Sequence, residues 1–275
     1  MSTRALRLST SAGLAAAFFF LAVPARAQYK PRPLNDPATG ESYHIEAAAD
    51  MWYPSITATV ASEALGIEGS QINLKRDLGV VDKRMSALAL VLRPASRHKF
   101  RFEYLPIKYD ASSTLNQDVI FNGIRYRVGL PVNTMFDWKT YSFGYEFDFV
   151  EKNWGFVGFI LEAKYTDVQV SLASPIESQF ARARGPIPAI GANARVYVVP
   201  NISITGEFSA FKIPDSIDNR YNAHYFDLNI YGTVNFTNNI GVKGGFRSRD
   251  VGYLIKADSG SFLLRGIFLG AVVRY

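Results

Sequence analysis

The chain has 275 residues, of which 48% are hydrophobic and 20% charged, enough for one large domain or two ordinary ones. It has no cysteine, which excludes disulfide staples, thiol nucleophiles, Cys-ligated metals and lipidation of an N-terminal Cys. The net charge of +6 overstates the balance: the first 27 residues hold Arg4, Arg7 and Arg26 and no acid, so the rest has 27 bases against 24 acids, scattered without a Lys/Arg stripe, which argues against nucleic acid as a partner.

At the N-terminus, Arg4 and Arg7 precede an apolar run at 12–23, and Ala25-Arg26-Ala27 stands before Gln28. These are the positive region, apolar region and small-x-small cleavage site of a secretory signal peptide, predicted to span 1–27 and to be cut near Ala27. The apolar run is too short to cross about 30 Å of hydrocarbon as a helix. No later stretch reaches 18 uninterrupted apolar residues, so no inner-membrane helix is expected. Residues 28–43 are polar and carry Pro31, Pro33 and Pro37, the composition of an extended, Pro-rich periplasmic tail.

From 44 to 275 the chain alternates with period two, the spacing of β-strands. Tyr141, Phe143, Tyr145, Phe147 and Phe149 share one face against Ser142, Gly144, Glu146 and Asp148. Phe159, Leu161, Ala163 and Tyr165 oppose Glu162, Lys164 and Thr166, and Phe226, Leu228 and Ile230 oppose Asp227 and Asn229. In a soluble sandwich such an apolar face turns inward, whereas in a membrane barrel it turns out to lipid. Strand length favours the barrel, since segments of about 12 to 18 residues exceed soluble strands and suffice for the 9 to 11 that cross a bilayer. Connections also alternate, short at 94–97, 151–153, 200–201 and 237–239, longer at 63–83, 110–133, 172–187, 214–222 and 256–261. That order predicts an all-β, single antiparallel up-and-down transmembrane barrel of about ten strands, with eight or twelve as alternatives. Asn122-Gly123 marks a tight hairpin, placed in an outer loop because two more spanning strands would break the alternation. A weak repeat pairs 201–208 with 239–246, the spacing of one hairpin unit.

The last segment sets Ile267, Leu269, Ala271, Val273 and Tyr275 on one face, with Gly270 six from the end. An aromatic last residue, a hydrophobe two before it and this Gly resemble the terminal signal by which outer-membrane barrels are recognised by their assembly machinery; Phe268 departs from the pattern. With the export signal and the strand pattern, the chain resembles the small outer-membrane β-barrels of Gram-negative bacteria, which include the OmpA-like and OmpW-like proteins. The resemblance implies an outer-membrane location, contact with outer-membrane lipid and lipopolysaccharide, and the barrel-assembly machinery as partner. It implies no particular activity.

If the apolar faces meet lipid, the lumen receives Glu103, Glu146, Asp148, Glu162, Glu207 and Asp227 against Lys99, Arg101, Lys164, Arg195, Lys243, Arg247 and Arg249. At about ten strands the bore is narrow, so these nearly balanced charges are expected to form an ionic network filling most of it; a narrow porin-like path for ions or small solutes is the alternative. No enzyme is expected. Of His44, His98 and His224, only His224 is placed for catalysis, near Asp215, Asp218 and Asp227, but the offset from His224 to Asp227 puts the two on opposite strand faces. Asp215, Asp218 and Asn219 match no calcium motif, and no phosphate-binding glycine loop is present, so neither metal nor cofactor is expected. Trp52, Trp138 and Trp154 near strand ends suggest interfacial girdles.

Overall fold

In a computed structural model, residues 38–63, 67–213, 221–255 and 258–275 are described. The predicted signal peptide and most of the predicted tail lie outside them. Strands form at β1 (Ile45–Ala61), β2 (Ile72–Asn73), β3 (Met85–Ala95), β4 (His98–Thr114), β5 (Val119–Phe121), β6 (Ile124–Tyr126), β7 (Pro131–Lys152), β8 (Gly155–Ala173), β9 (Ser178–Val199), β10 (Ile202–Lys212), β11 (Tyr221–Asn235), β12 (Ile240–Ile255) and β13 (Asp258–Arg274). The long ones form an antiparallel meander that closes where β13 pairs β1 from Glu46↔Arg274 to Ala61↔Ser259. This is the expected all-β, ten-stranded, up-and-down barrel. Closure pairs the first strand with the last, so that neither is left as a free terminal edge. β5 and β6 form their own two-stranded sheet, turning at Asn122 and Gly123 with φ of 49° and 79°, so the Asn-Gly hairpin is indeed loop structure.

The connections at one end of the barrel, the turn end, are tight, at residues 96–97, 153–154, 200–201 and 236–239. The opposite, loop end departs from the expected alternation. The long loop predicted at 172–187 is only the turn 174–177, because β8 runs to Ala173 and β9 starts at Ser178. The 110–133 loop shrinks because β4 continues to Thr114 and β7 begins at Pro131. Both stretches resemble loops in sequence because their outward side chains become polar while the strand itself continues.

Each strand changes character along its length. On β4 the inward side chains are Lys99, Arg101 and Glu103 near the turn end, then Leu105, Ile107 and Tyr109, all at most 1% exposed. The outward series inverts in step, from the exposed Phe100 and Phe102 to Lys108, Asp110 and Ser112. β7 runs from inward Val132, Phe136 and Trp138 to inward Glu146 and Asp148, while its outward face passes from Asn133, Asp137 and Lys139 to Tyr141, Phe143 and Phe149. Outward Tyr104 and Tyr141 mark the border, their rings stacked 4.9 Å apart, with Tyr165 next to Tyr141 in register. The loop-end half is thus an ordinary protein, apolar inside and polar outside; the turn-end half is reversed.

The core accordingly sits in the loop-end half. Phe262 stacks on Phe136 at 5.2 Å and lies 5.7 Å from Trp138. From above, Leu74, Leu78, Val119, Phe121 and Tyr126 plug the bore, each at most 2% exposed. Burying such a side chain stabilises by about 1.5–3 kcal/mol. This core corrects the girdle assignment: Trp52 and Trp138 are 1% exposed and point inward, and among the three tryptophans only Trp154, in the 153–154 turn, is exposed. It also confines the charges to roughly half of the bore rather than most of it.

Candidate functional site

The site is built by period-two geometry. Because every second residue of a strand faces the bore, one ring of strands delivers its polar face to a common interior, where a charge is stable only if paired and hydrogen-bonded.

Nearest the turn end, residues 38–43 fold into the mouth. Thr39 N donates to Pro200 O at 2.7 Å, and Asn235 Nδ2 donates to Thr39 O at 2.6 Å. Gly40, at φ 87° and with Arg274 and Asn235 where a Cβ would lie, turns the chain inward. Glu41 then accepts from Arg195 Nη1 at 2.7 Å and from Tyr197 OH at 2.6 Å. Arg93 donates to Glu41 O at 2.5 Å and to Glu151 Oε1 at 2.9 Å, and Arg274 donates to Glu46 at 2.5 Å and to Asn235 at 2.7 Å. Burial works to raise the Glu41 carboxyl, but the Arg195 and Lys99 charges and the two hydrogen bonds outweigh it and hold the group below the ordinary range.

Deeper, Lys99 Nζ lies 2.8 Å from both Glu146 and Asp148 and 3.5 Å from the centre of the Phe156 ring. Arg101 bridges Glu146 at 2.5 Å and Glu207 at 2.7 Å. Asn193 Nδ2 donates to Glu146 and Tyr231 OH donates to Glu207. Lys243 pairs with Asp50 at 3.0 Å. Below the apolar core, Arg247 and Arg249 both clamp Asp227, at 3.0 and 2.5 Å, and both reach Glu103, at 2.7 and 3.1 Å. Tyr225 OH also donates to Asp227, and Lys164 pairs with Glu162 at 2.7 Å.

All thirteen residues singled out from the sequence therefore point into the bore, and each has an opposite charge within 4 Å. Their grouping was not legible: Arg195 belongs to the mouth and Glu41, and Lys243 is held by Asp50 on β1. Glu41, Glu46, Asp50, Arg93 and Arg274 were missed. Asp50 and Glu46 share the even-numbered inward face of β1 with Ala48 and Trp52, a pattern diluted by alanines; Glu41 precedes any strand and left no periodic signal. Among the assembly residues, Val273 and Tyr275 point outward, 57% and 83% exposed. Gly270 is inward and leaves room for Asp50, whose carboxylate a Cβ would strike.

The network leaves two small cavities of about 60 Å³ each, one between Asp50, Lys99, Glu103 and Lys243, the other between Glu162, Lys164, Asp227 and Arg247. Each is room for about two waters. Such an arrangement can hold charge and water. His224 is outward and exposed, 3.4 Å from Asp250, while Asp227 faces the bore, as the spacing requires. Asp215 and Asp218 lie outside the described residues. His98 Nδ1 lies 2.6 Å from Tyr145 OH, and His44 Nδ1 lies 3.3 Å from Arg93 O. Among the described residues no three His, Asp or Glu converge as for a metal ion.

No protein-family model and no curated relative matches the sequence. Solved structures do resemble the fold. The outer-membrane protease OmpT from Escherichia coli superposes with a TM-score of 0.55 at 8% identity, covering 88% of this chain and all of that one. The attachment invasion locus protein Ail of Yersinia pestis, in complex with a heparin analogue, gives a TM-score of 0.39 at 10% identity over 84% of this chain and 99% of its own. At these identities the likeness concerns the fold: the chain has the architecture of the small outer-membrane barrels.

Proposed function

We propose that the protein is an integral outer-membrane barrel without catalytic activity, with its turn end in the periplasm, its bore closed, and its polar loop end available for interaction outside the cell. The observation that carries this is the paired inversion of the wall. Outward rings such as Phe143 (46% exposed) and aliphatic side chains such as Ile190 (68%) and Leu269 (60%) surround the same half whose interior holds Arg249 and Asp148, both fully buried. A surface of that kind is stable against hydrocarbon and unstable in water. The loop-end half, polar outside, suits the aqueous exterior.

The closed bore rests on three layers in series: the 38–43 segment, the ionic network and the apolar plug under the β5–β6 hairpin. Planar-bilayer recordings of the refolded protein test this. Silence is expected, whereas stepwise conductance altered by Glu162→Gln or Arg247→Gln would establish the narrow channel instead. Catalysis is tested by incubating peptides and lipopolysaccharide with the protein and with His224→Ala; identical product profiles are expected, and a product lost in the variant would overturn the non-catalytic reading. Recognition of Tyr275 and Val273 by the assembly machinery belongs to the same proposal.

A further inference from the structure

The barrel wall is not equally continuous all the way round. β9 pairs with β8 out to Ser178, but with β10 only as far as Ile190↔Ala210, while β10 goes on pairing with β11 to Lys212↔His224. Beyond Ile190 the described strands therefore diverge. Two prolines sit at this point. Tyr197 N donates to Trp154 O on the β8 side, so by ladder alternation the odd-numbered amides of β9 face β8 and the even-numbered positions face β10. Pro186 and Pro188 are even and carry no N–H; the edge turned toward β10 is stripped of donors just where pairing stops. A groove of about 940 Å³ fills the divergence. It is lined on the outside by Phe143, Leu161, Ile190 and Phe226, and on the inside by Ala189, Phe211, Tyr225 and Glu162. The groove opens on the outer face and has these inward-facing residues at its floor, where Glu162 also lines the inner cavity with Lys164 and Asp227.

Its depth decides what can enter. Phe143 and Leu161 lie on the turn-end side of the Tyr141 and Tyr165 border, and Ile190 is ten residues from the turn at Pro200, about the length that crosses a bilayer. Resting on the membrane reading above, we infer that the β9–β10 divergence is a lateral portal that binds one acyl chain of an outer-leaflet lipid, its hydrocarbon against these outward rings and its end directed toward Phe211 and Tyr225. The lining is mostly apolar with few polar groups, which suits hydrocarbon.

The chain's lack of cysteine makes the test clean. Single cysteines are introduced by Ala189→Cys at the portal, Ala87→Cys facing the bore on β3, and Leu269→Cys on the outward face. Each refolded variant in phosphatidylcholine vesicles is exposed to hexadecyl methanethiosulfonate, which partitions into lipid, or to a charged water-soluble methanethiosulfonate. We expect Leu269→Cys to react with the lipid reagent, Ala189→Cys to react with it roughly tenfold faster than Ala87→Cys, and both inward thiols to resist the charged reagent. Adding Pro186→Thr and Pro188→Thr, which restore edge donors, should slow Ala189→Cys toward the Ala87→Cys rate. Reaction at Leu269→Cys with Ala189→Cys no faster than Ala87→Cys, or with Ala189→Cys taken by the charged reagent, overturns the portal and leaves the membrane reading standing. Leu269→Cys open to the charged reagent and silent to the lipid one overturns the membrane reading itself, and the portal with it.

Discussion

Asp227 receives two guanidinium groups out of reach of bulk solvent: the Arg247 and Arg249 side chains are 6% and 0% exposed. Asp227→Ala would leave both facing only the shared Glu103, and breaking a buried pair of this kind costs about 3–5 kcal/mol. We expect a correspondingly lower denaturant midpoint for the detergent-refolded barrel. Lys75 and Asp82 also meet at 2.7 Å, but at 37% and 47% exposure; Lys75→Ala should change stability by no more than about 1 kcal/mol. Equal effects of the two substitutions would mean that the buried pairs stabilise no more than the exposed one. Glu41 supplies a pH signature. Its carboxyl is held below the ordinary range in the folded mouth, so docking of residues 38–43 gains from its charge fully above the ordinary glutamate pKa and loses that gain as pH falls through the lowered value. A fluorophore on Thr39→Cys should keep constant emission from neutral pH down to the ordinary glutamate range and red-shift only below it, while Glu41→Gln red-shifts already at neutral pH. A shift beginning near neutral pH in the parent would contradict this.

At the scale of elements, the plug and the wall obey different rules. The β5–β6 hairpin is anchored by Phe121 and Tyr126, both 1% exposed, with Tyr126 OH donating to Leu172 O. Phe121→Ala should cost about 3–5 kcal/mol, whereas Val128→Ala, 59% exposed, should stay within about 0.5 kcal/mol; denaturant unfolding distinguishes them. The strands were legible because period two survives the change of medium: Phe143 and Asp137 lie on the same outward face although one is apolar and the other charged. What hid the rest is the same change. A reader who equates polar with loop ends β8 too early and misses the outer half of β9, where Arg182 pairs with Asp167 across the outward face. A reader who sends tryptophan to the interface misplaces Trp52 and Trp138, whose inward parity was available but whose burial depends on a loop-end core that no single strand reveals. The mouth segment was illegible for a third reason: Glu41 is held by residues more than 150 positions away, and such pairing has no local pattern.

Across the whole molecule, the barrel is inverted over its turn-end half and conventional over its loop-end half, and the border runs through Tyr104, Tyr141 and Tyr165. The proposed closure of the bore, periplasmic placement of the mouth segment and lateral portal all take their meaning from this inversion. β7 crosses the border within one strand, which makes it the place to measure. Nitroxide labels carried on single cysteines along β7 of the protein in lipid bilayers should collide with oxygen, which concentrates in hydrocarbon, at positions 141, 143, 145 and 147. They should collide with a water-soluble nickel chelate at 133, 137 and 139, and with neither at the inward positions 136, 142 and 146. Nickel collisions prevailing at 141–147 would mean that this face meets water, and would contradict the account.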